Sequence, residues 1–229
     1  TGHHFYEDKP ALLRERVQER MRARAIPSAA AYARLLASGE AGELEWRALE
    51  DAVTIGETYF FRYPEHFEAL RTDLLPQLLR LRAETRGLRI WSIGCSTGAE
   101  PYSIAIVLRE TLGAAVEDWR VAITGGDISE AALARARKAE YGPWALRTLP
   151  PATIDLYFDR LGERRFRLKA PFRGMVRFER QNILDLLSPA PPLQWTGYDL
   201  IFCRNVLIYF TPAQSRRLVD ALRSRLADG

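Results

Sequence analysis

The chain has 229 residues, of which 47% are hydrophobic and 27% charged, and its formal net charge is +4. This length can bury a full core and allows one large domain, or a small domain joined to a larger one. No apolar run reaches the roughly 20 residues that a membrane-spanning helix needs. Cys95 and Cys203 are the two cysteines, too few for a disulfide framework, so we expect a cytoplasmic protein. The mild positive charge suggests an acidic partner and falls short of the basic bias typical of nucleic-acid-binding proteins.

The first predicted helix, residues 11–24, is strongly basic. Leu13, Val17 and Met21 recur every four residues and give this helix an apolar stripe. Five arginines surround the stripe: Arg14, Arg16, Arg20, Arg22 and Arg24. They indicate either a solvated helix face or a docking surface for an acidic partner.

Two further short helices complete a predicted helical bundle. The second runs from residue 28 to a predicted stop at Gly39, and the third covers about residues 43–53. A connecting helix then begins at Pro64 and carries apolar residues at helical spacing as far as Leu81.

An aromatic segment, residues 54–64, lies between the bundle and the connecting helix. Its aromatic and β-branched residues indicate a buried loop or strand end, and core packing alone could explain them. Arg62 lies among these aromatics, where an arginine needs a partner for its charge.

A glycine-containing turn follows the first predicted strand. Residues 88–93 form a short apolar run typical of a buried strand, and a helical pattern begins at Ala99. Gly94 and Gly98 enclose the turn, which lacks the spacing of dinucleotide-binding and phosphate-binding loops. Glu100 would repel a phosphate but suits a positively charged ligand, such as an ammonium or a sulfonium. An ordinary strand-turn-helix unit that needs glycine for packing is the alternative.

The second predicted strand, residues 120–127, ends in an acid. Asp127 follows the glycine turn by one crossover, the position at which an acid binds ribose hydroxyls in dinucleotide-type folds. Ser129 is predicted to cap the next helix, residues 130–138. A simple role for Asp127 at the start of that helix is the alternative.

The last third of the chain predicts a hairpin, a strand and a helix. Residues 165–169 and 175–179 alternate apolar and polar side chains around a turn, although 176–182 could instead be a core strand. Residues 198–205 read as a buried strand. A final helix opens at Thr211 and Pro212, with Leu218, Leu222 and Leu226 forming one stripe.

Four blocks carry a resemblance to a known family: residues 58–62, 96–103, 127–128 and 202–210. On these blocks the chain resembles the CheR-type chemotaxis receptor methyltransferases, which transfer a methyl group from S-adenosylmethionine to receptor glutamates. The resemblance covers nearly the whole chain. It implies an α/β fold, namely a doubly wound S-adenosylmethionine-dependent methyltransferase sheet with an inserted β-hairpin, preceded by a small all-α domain.

The resemblance also implies a domain plan. Residues 1–62 would form the helical domain, 63–86 the connecting helix and 87–229 the methyltransferase domain, with a β subdomain inserted at 155–180. Family members normally continue into a final pair of strands, so we expect this chain to be a fragment.

Family positions also imply a cofactor site. Asp127 would hold the ribose hydroxyls and Glu100 the ammonium of the methionine part, with Asn182 and Ile183 flanking the adenine. Arg204 and Asn205 would line the methionine end. The remaining implied residues are Gly94 in the turn, Gly56 and Thr58 near the cofactor, and Arg62 and Tyr209 near the reactive methyl group as catalytic residues.

Two departures from the family pattern concern this site. Ala99 occupies a position where the family usually has a second glutamate, and Gly56 one where an asparagine that contacts the cofactor is common. Both departures are expected to weaken cofactor binding.

The implied chemistry needs neither a metal nor a general base. A carboxylate with a pKa of about 4.3 is already ionised at neutral pH. Arg62 could orient it, and the histidines and cysteines are too scattered to predict a metal site. The implied partners are chemoreceptor methylation helices, without a nucleic acid or membrane insertion. We also expect independence from a receptor peptide tether, because the loop 159–165 is shorter and poorer in glycine than in tether-binding members.

Two other functions stay open from the sequence. One is a non-catalytic module that binds S-adenosylmethionine or its product S-adenosylhomocysteine. The other is a nucleic-acid methyltransferase, which the arginine excess suggests but for which the usual catalytic motifs are missing.

Overall fold

A helical bundle opens the computed structural model, which describes residues 4–227. Helices α1 (Pro10–Ala23), α2 (Ala29–Leu36) and α3 (Gly39–Val53) follow a short turn at His4–Tyr6. They pack around four buried side chains: Tyr6, Tyr32, Leu49 and Val53.

Two details of the bundle correct the sequence predictions. Gly39 begins α3 and does not end α2, because only two residues join these helices and the glycine φ of +28° permits the sharp turn. On α1, Val17 and Met21 pack against the bundle core as predicted, but Leu13 is exposed and Leu12 packs in its place.

The connecting helix is continuous but changes its winding midway. α4 (Pro64–Ala69) passes through a π-helical turn (Leu70–Leu74) into α5 (Leu75–Leu81). Pro76 lies just after that turn, has no N–H to donate and would clash with a regular preceding turn, so the wider turn accommodates it. Phe67, Leu70 and Leu75 are buried against the sheet.

The main sheet has four parallel strands, β1 (Gly87–Ile93), β2 (Arg120–Asp127), β6 (Val176–Arg180) and β7 (Leu200–Cys203). Their order across the sheet is β6-β2-β1-β7. The helices are α6 (Ala99–Leu112), α7 (Glu130–Lys138) and α10 (Pro212–Arg223). β2 and β7 lie on opposite sides of β1, so the strand order reverses there. Such a switch point is where open α/β sheets bind ligands, at the carboxyl ends of the strands.

Predicted helix caps at the two later helices are present. The Ser129 side chain accepts from the Ala132 N–H at the start of α7, and Thr211 forms a capping box with Gln214 at the start of α10. Leu218 and Leu222 are buried as predicted, but α10 ends at Arg223, so Leu226 lies outside the helix and is exposed.

A second, antiparallel sheet of three strands corrects the predicted hairpin. β3 is Glu140–Tyr141, β4 is Phe158–Gly162 and follows α8 (Pro151–Tyr157), and β5 is Arg165–Leu168. Their order across the sheet is β3-β5-β4. Strand β5 pairs with β4 across a two-residue turn and not with residues 175–179. Pro171 lies in the first turn of a short helix, α9 (Ala170–Arg173), which returns the chain to the main sheet as β6. The alternative prediction, a core strand within 176–182, is the correct one.

Between residues 4 and 227, no helix combines the length and the apolar character that crossing a bilayer requires. The domain limits at residues 62 and 86, and the limits of the inserted β subdomain, stay predictions.

Candidate active site

A cavity of about 460 Å³ lies at the carboxyl ends of the main-sheet strands and reaches the end of α3. Its volume is within the range of small-molecule sites. Every residue that we predicted for the cofactor or the chemistry lines this cavity: Gly56, Thr58, Arg62, Gly94, Glu100, Asp127, Asn182, Ile183, Arg204, Asn205 and Tyr209. The fold therefore brings all of them together, although their individual roles stay predictions.

The glycine turn packs closely against its neighbours. A Cβ on Gly94 would lie 2.4 Å from Val206 Cγ2, and one on Gly98 would lie 2.9 Å from the Phe178 ring. Both glycines have positive φ, at +66° and +85°. Packing alone would thus require these glycines, so their presence does not by itself show that a ligand approaches them.

Asp127 is buried and already accepts two backbone hydrogen bonds. Its Oδ2 accepts from the Ser96 N–H at 2.7 Å, and its Oδ1 accepts from the Ser129 N–H at 2.9 Å. Burial raises the pKa of Asp127 although these amide hydrogen bonds oppose the shift. Each carboxylate oxygen has a second lone pair, so the side chain can still accept from a ligand hydroxyl.

Glu100 forms an ion pair with Arg204 inside the cavity wall. Its Oε2 lies 3.0 Å from Arg204 Nη1, and its Oε1 accepts from the Ser92 hydroxyl at 2.8 Å. Burial raises the pKa of Glu100, while the hydroxyl and the guanidinium favour the ionised form. A ligand therefore meets an anion beside a cation, which complements the ammonium and carboxylate of a free amino-acid group.

Arg62 finds its partners within the aromatic segment. Its Nη1 donates to the Glu57 carbonyl at 2.8 Å, and the guanidinium lies 5.8 Å and 5.5 Å from the ring centroids of Tyr59 and Tyr63. The Arg62 carbonyl accepts from Arg204 Nη2. The segment thus places Arg62 beside the Glu100–Arg204 ion pair. It also supplies the partners that the Arg62 charge was expected to need.

Hydrogen bonds from the sheet domain fix the aromatic segment. Ser96 Oγ donates to the Gly56 carbonyl at 2.8 Å, and the Phe61 N–H donates to Ser103 Oγ at 3.0 Å. The Phe60 N–H donates to the Ala145 carbonyl at 3.0 Å. Gly56 contributes its carbonyl in this way, and a Cβ there would lie 3.1 Å from Ser96 Oγ.

The predicted adenine and methyl-end residues have local contacts as well. Asn182 Oδ1 accepts from the Leu184 N–H at 3.1 Å, and Ile183 is buried. Asn205 has a left-handed backbone, with φ of 55°. Burial raises the pKa of Tyr209, whose ring lies 6.0 Å from that of Phe5.

Sequence reasoning missed several residues that line the cavity, among them Asp51, Ser96 and Gln181. Gln181 Oε1 accepts from Trp91 Nε1 at 2.7 Å and lies 1.8 Å from where a Cβ on Gly126 would be. The glycine pair at the end of the second strand was a signal of this close contact. Asp51 lies on α3, and nothing local in the sequence separates it from other surface acids of that helix.

Comparison with known protein families identifies both parts of the chain. Residues 56–229 match the family described as CheR methyltransferase, SAM binding domain. Residues 1–54 match the one described as CheR methyltransferase, all-alpha domain.

Three curated relatives agree with these matches. The chain is 32% identical over 227 residues to a chemotaxis protein methyltransferase of Borreliella burgdorferi, covering 98% of this chain and 78% of the relative. It is 40% identical over 182 residues to the probable biofilm formation methyltransferase WspC of Pseudomonas putida, covering 80% and 41%. It is 35% identical over 182 residues to chemotaxis protein methyltransferase 1 of Pseudomonas aeruginosa, covering 78% and 64%.

These matches confirm the resemblance, the α/β methyltransferase fold and S-adenosylmethionine as the cofactor. The chain spans only 41% and 64% of the length of the two Pseudomonas relatives. With an all-α domain followed by an S-adenosylmethionine-binding domain, the chain belongs to the CheR methyltransferase family.

Proposed function

We propose that this protein transfers the methyl group of S-adenosylmethionine to glutamate carboxylates on the cytoplasmic methylation helices of chemoreceptors. The products are glutamate methyl esters and S-adenosylhomocysteine. The observation that carries the proposal is the composition of the cavity. Among the described residues that line it, two arginines lie near the proposed methyl end, and none is histidine, lysine or cysteine.

This composition favours a carboxylate as the acceptor of the methyl group. A glutamate side chain is ionised at neutral pH, so it needs no base, whereas an amine, thiol or hydroxyl must lose a proton. Two of the carboxylates in the cavity wall already have partners, Glu100 with Arg204 and Asp127 with two backbone amides. They are poorly placed to act as a free general base.

The residues present fit the cofactor on physical grounds. The Glu100–Arg204 pair offers opposite charges to the amino-acid end, and Asp127 can accept from the ribose. Bound S-adenosylmethionine supplies a methyl group activated by a positively charged sulfur. The aromatic rings of Tyr59 and Tyr209, which line the cavity, would stabilise that charge by cation–π attraction.

Arg62 is the proposed orienting residue for the substrate. Its guanidinium can hold the incoming carboxylate by a charge-assisted hydrogen bond, and Tyr209 lines the same end of the cavity. Holding the nucleophile in line with its target can supply most of the rate enhancement, because no other covalent chemistry is required of the protein.

Docking of the substrate would use charge and no receptor tether. Chemoreceptor methylation helices are rich in glutamate, and the exposed arginines of α1 complement them. The β4–β5 connection is a two-residue turn, Glu163 and Arg164, which supports independence from a tethered receptor peptide. This substrate would place the protein in the cytoplasm.

A labelled methyl-transfer assay tests the proposal. We expect radioactive methyl groups from S-adenosylmethionine to appear on a purified receptor cytoplasmic fragment. Mild alkali should then release them as methanol, because it hydrolyses methyl esters. The control is the same fragment with its methylation-site glutamates changed to glutamine, which should stay unlabelled. Label that resists alkali, or that appears on nucleic acid, would contradict the proposal. Cofactor binding without any transfer would favour the non-catalytic module.

A further inference from the structure

Tyr209 lines the cavity from a short turn, Leu207–Tyr209, that contains no buried residue. Hydrogen bonds fix the backbone of this turn. The Tyr209 N–H donates to the Val206 carbonyl at 3.2 Å, and Ser215 Oγ donates to the Leu207 carbonyl at 3.2 Å. These bonds leave the direction of the Tyr209 ring to be set by the side chains that it contacts.

One of those contacts comes from the other end of the chain, from the turn His4–Tyr6. The ring centroids of Phe5 and Tyr209 lie 6.0 Å apart with the ring planes at 76°, an edge-to-face arrangement that aromatic pairs prefer. Lys9 Nζ lies 3.7 Å from the Phe5 centroid, so cation–π attraction also holds the Phe5 ring. Phe5 is not among the described residues that line the cavity, so it can act on a bound ligand only through another side chain.

Tyr6 anchors this contact to the helical bundle. It is buried in the bundle core, and its hydroxyl donates to the carbonyl of Val53, the last residue of α3, at 2.9 Å. The Phe5 ring packs against the same core and lies edge-to-face on Tyr6, with the centroids 5.2 Å apart. Three rings in succession therefore connect the bundle core to Tyr209.

We propose that Phe5 is a positioning residue for Tyr209, so that the all-α domain directs this ring towards the activated methyl group of S-adenosylmethionine. The inference rests on the proposed function in one respect, the location of Tyr209 beside the positively charged sulfur. Cation–π attraction requires the face of the ring to be turned to the cation, and an edge-to-face partner restricts how the ring can turn. Loss of the Phe5 ring should therefore weaken binding of the charged cofactor and leave its uncharged product, S-adenosylhomocysteine, little affected.

Calorimetry without a methyl acceptor tests the proposal by comparing the affinities for S-adenosylmethionine and S-adenosylhomocysteine. We expect Phe5→Ala to lower the ratio of the first affinity to the second at least about threefold, in the range of one cation–π contact. Phe5→Tyr retains the ring and should keep the wild-type ratio. Leu12→Ala is the matched control, because it removes packing from the same bundle core without removing a ring. It should lower the melting temperature and leave the ratio unchanged.

A double variant shows whether the effect passes through Tyr209. Tyr209→Ala alone should lower the ratio at least as much as Phe5→Ala, and combining the two changes should lower it no further. An unchanged ratio in either single variant, additive effects of the two, a Phe5→Tyr protein that behaves like Phe5→Ala, or an equal fall in Leu12→Ala would overturn the proposal. Because no acceptor is present, a failure to methylate receptor glutamates would contradict the proposed function and not this inference.

Discussion

Arg62 lies between two residues whose backbones are left-handed, which is rare for large aromatic side chains. Phe61 and Tyr63 have φ of 51° and 58°. Such conformations persist only where surrounding contacts enforce them, and they concentrate at functional sites. The hydrogen bond from the Phe61 N–H to Ser103 and the burial of Phe60 supply those contacts. The fold thus stores strain on both sides of the proposed orienting residue.

We expect Arg62→Ala to lower kcat at least about tenfold, which corresponds to about 1.4 kcal/mol of lost transition-state stabilisation. KM for the receptor fragment should change much less, because Arg62 is proposed to align the carboxylate and not to recruit the helix. Steady-state kinetics on the receptor fragment would measure both constants. Arg80→Ala, an exposed arginine on α5, is the control. A rise in KM with an unchanged kcat would assign Arg62 to docking.

The Asp127 carboxylate permits a second test at this scale. We expect Asp127→Ala to weaken S-adenosylhomocysteine binding at least about tenfold in calorimetry, because one ribose acceptor and its charge are lost. An unchanged affinity would locate the ribose elsewhere. The sequence predicted this residue because an acid at the end of a strand after a glycine turn binds ribose hydroxyls in dinucleotide-type folds. It did not predict that Asp51 lines the cavity, because that depends on how α3 approaches the sheet.

Among the elements, α1 divides its arginines between structure and surface. Arg20 makes two hydrogen bonds of 3.0 Å to Glu45, which is 3% exposed and also accepts from the Tyr32 hydroxyl. Arg16 pairs with Glu19 one turn away. Arg20 therefore fits neither alternative that the sequence left open, a solvated face or a docking surface, because it is paired with a buried glutamate inside the bundle. Arg14 and Arg22 are exposed and form no ion pair among the described residues.

We expect Arg20→Ala to lower the free energy of unfolding by about 2 kcal/mol, because it removes hydrogen bonds to a buried charge while Arg24 and Tyr32 remain. Arg22→Ala should change it by less than about 0.5 kcal/mol. Urea denaturation followed by circular dichroism would measure both. Equal effects of the two variants would contradict the structural role of Arg20.

The same cluster predicts how acid affects the bundle. Burial alone would raise the pKa of Glu45, but the hydrogen bonds from Arg20 and Tyr32 outweigh it, so the folded-state pKa is lowered. Because the folded-state pKa is lowered, the contribution of ionised Glu45 to stability is complete above its unfolded-state pKa of about 4.3. This contribution is lost as the pH falls through the folded-state pKa. Arg20→Ala should remove part of this acid dependence. An identical slope in the variant and the wild type would argue against it.

Reversal of the two exposed arginines tests docking separately. We expect the double variant Arg14→Glu and Arg22→Glu to raise KM for the receptor fragment and to reduce its dependence on salt, because long-range attraction is screened over about 8 Å at physiological ionic strength. Kinetics between low and high salt would show this, with kcat nearly intact. An unchanged KM would mean that this side of α1 is only a solvated surface.

The elements with strong local signals were predictable, and the exceptions have physical reasons. Both capped helices begin where Ser129 and Thr211 predicted. The hairpin was paired incorrectly because Pro171 reads equally well as a turn residue and as the first turn of a helix. Strand alternation alone cannot choose a partner when three strand-like segments follow one another.

In the whole molecule, the cavity is closed by parts that are far apart in sequence. The aromatic segment, the glycine turn, the ends of β2 and β6 and the last turn of α3 all contribute to it. An ion pair of 2.5 Å between Glu50 of α3 and Arg180 at the end of β6 connects the helical bundle to the sheet. The sequence could place each block on its element, but only the packing of the two domains shows that they share one cavity.

The pH dependence of methyl transfer tests the central claim most directly, namely that the acceptor is a carboxylate which arrives already ionised. Single-turnover rates would be measured with saturating S-adenosylmethionine and receptor fragment. We expect a flat profile from about pH 6 to 8, with a decline only towards the pKa of the substrate carboxylate, about 4.3. A fall in rate below about pH 6.5, or a rate that keeps rising with pH, would reveal a required base and contradict this claim.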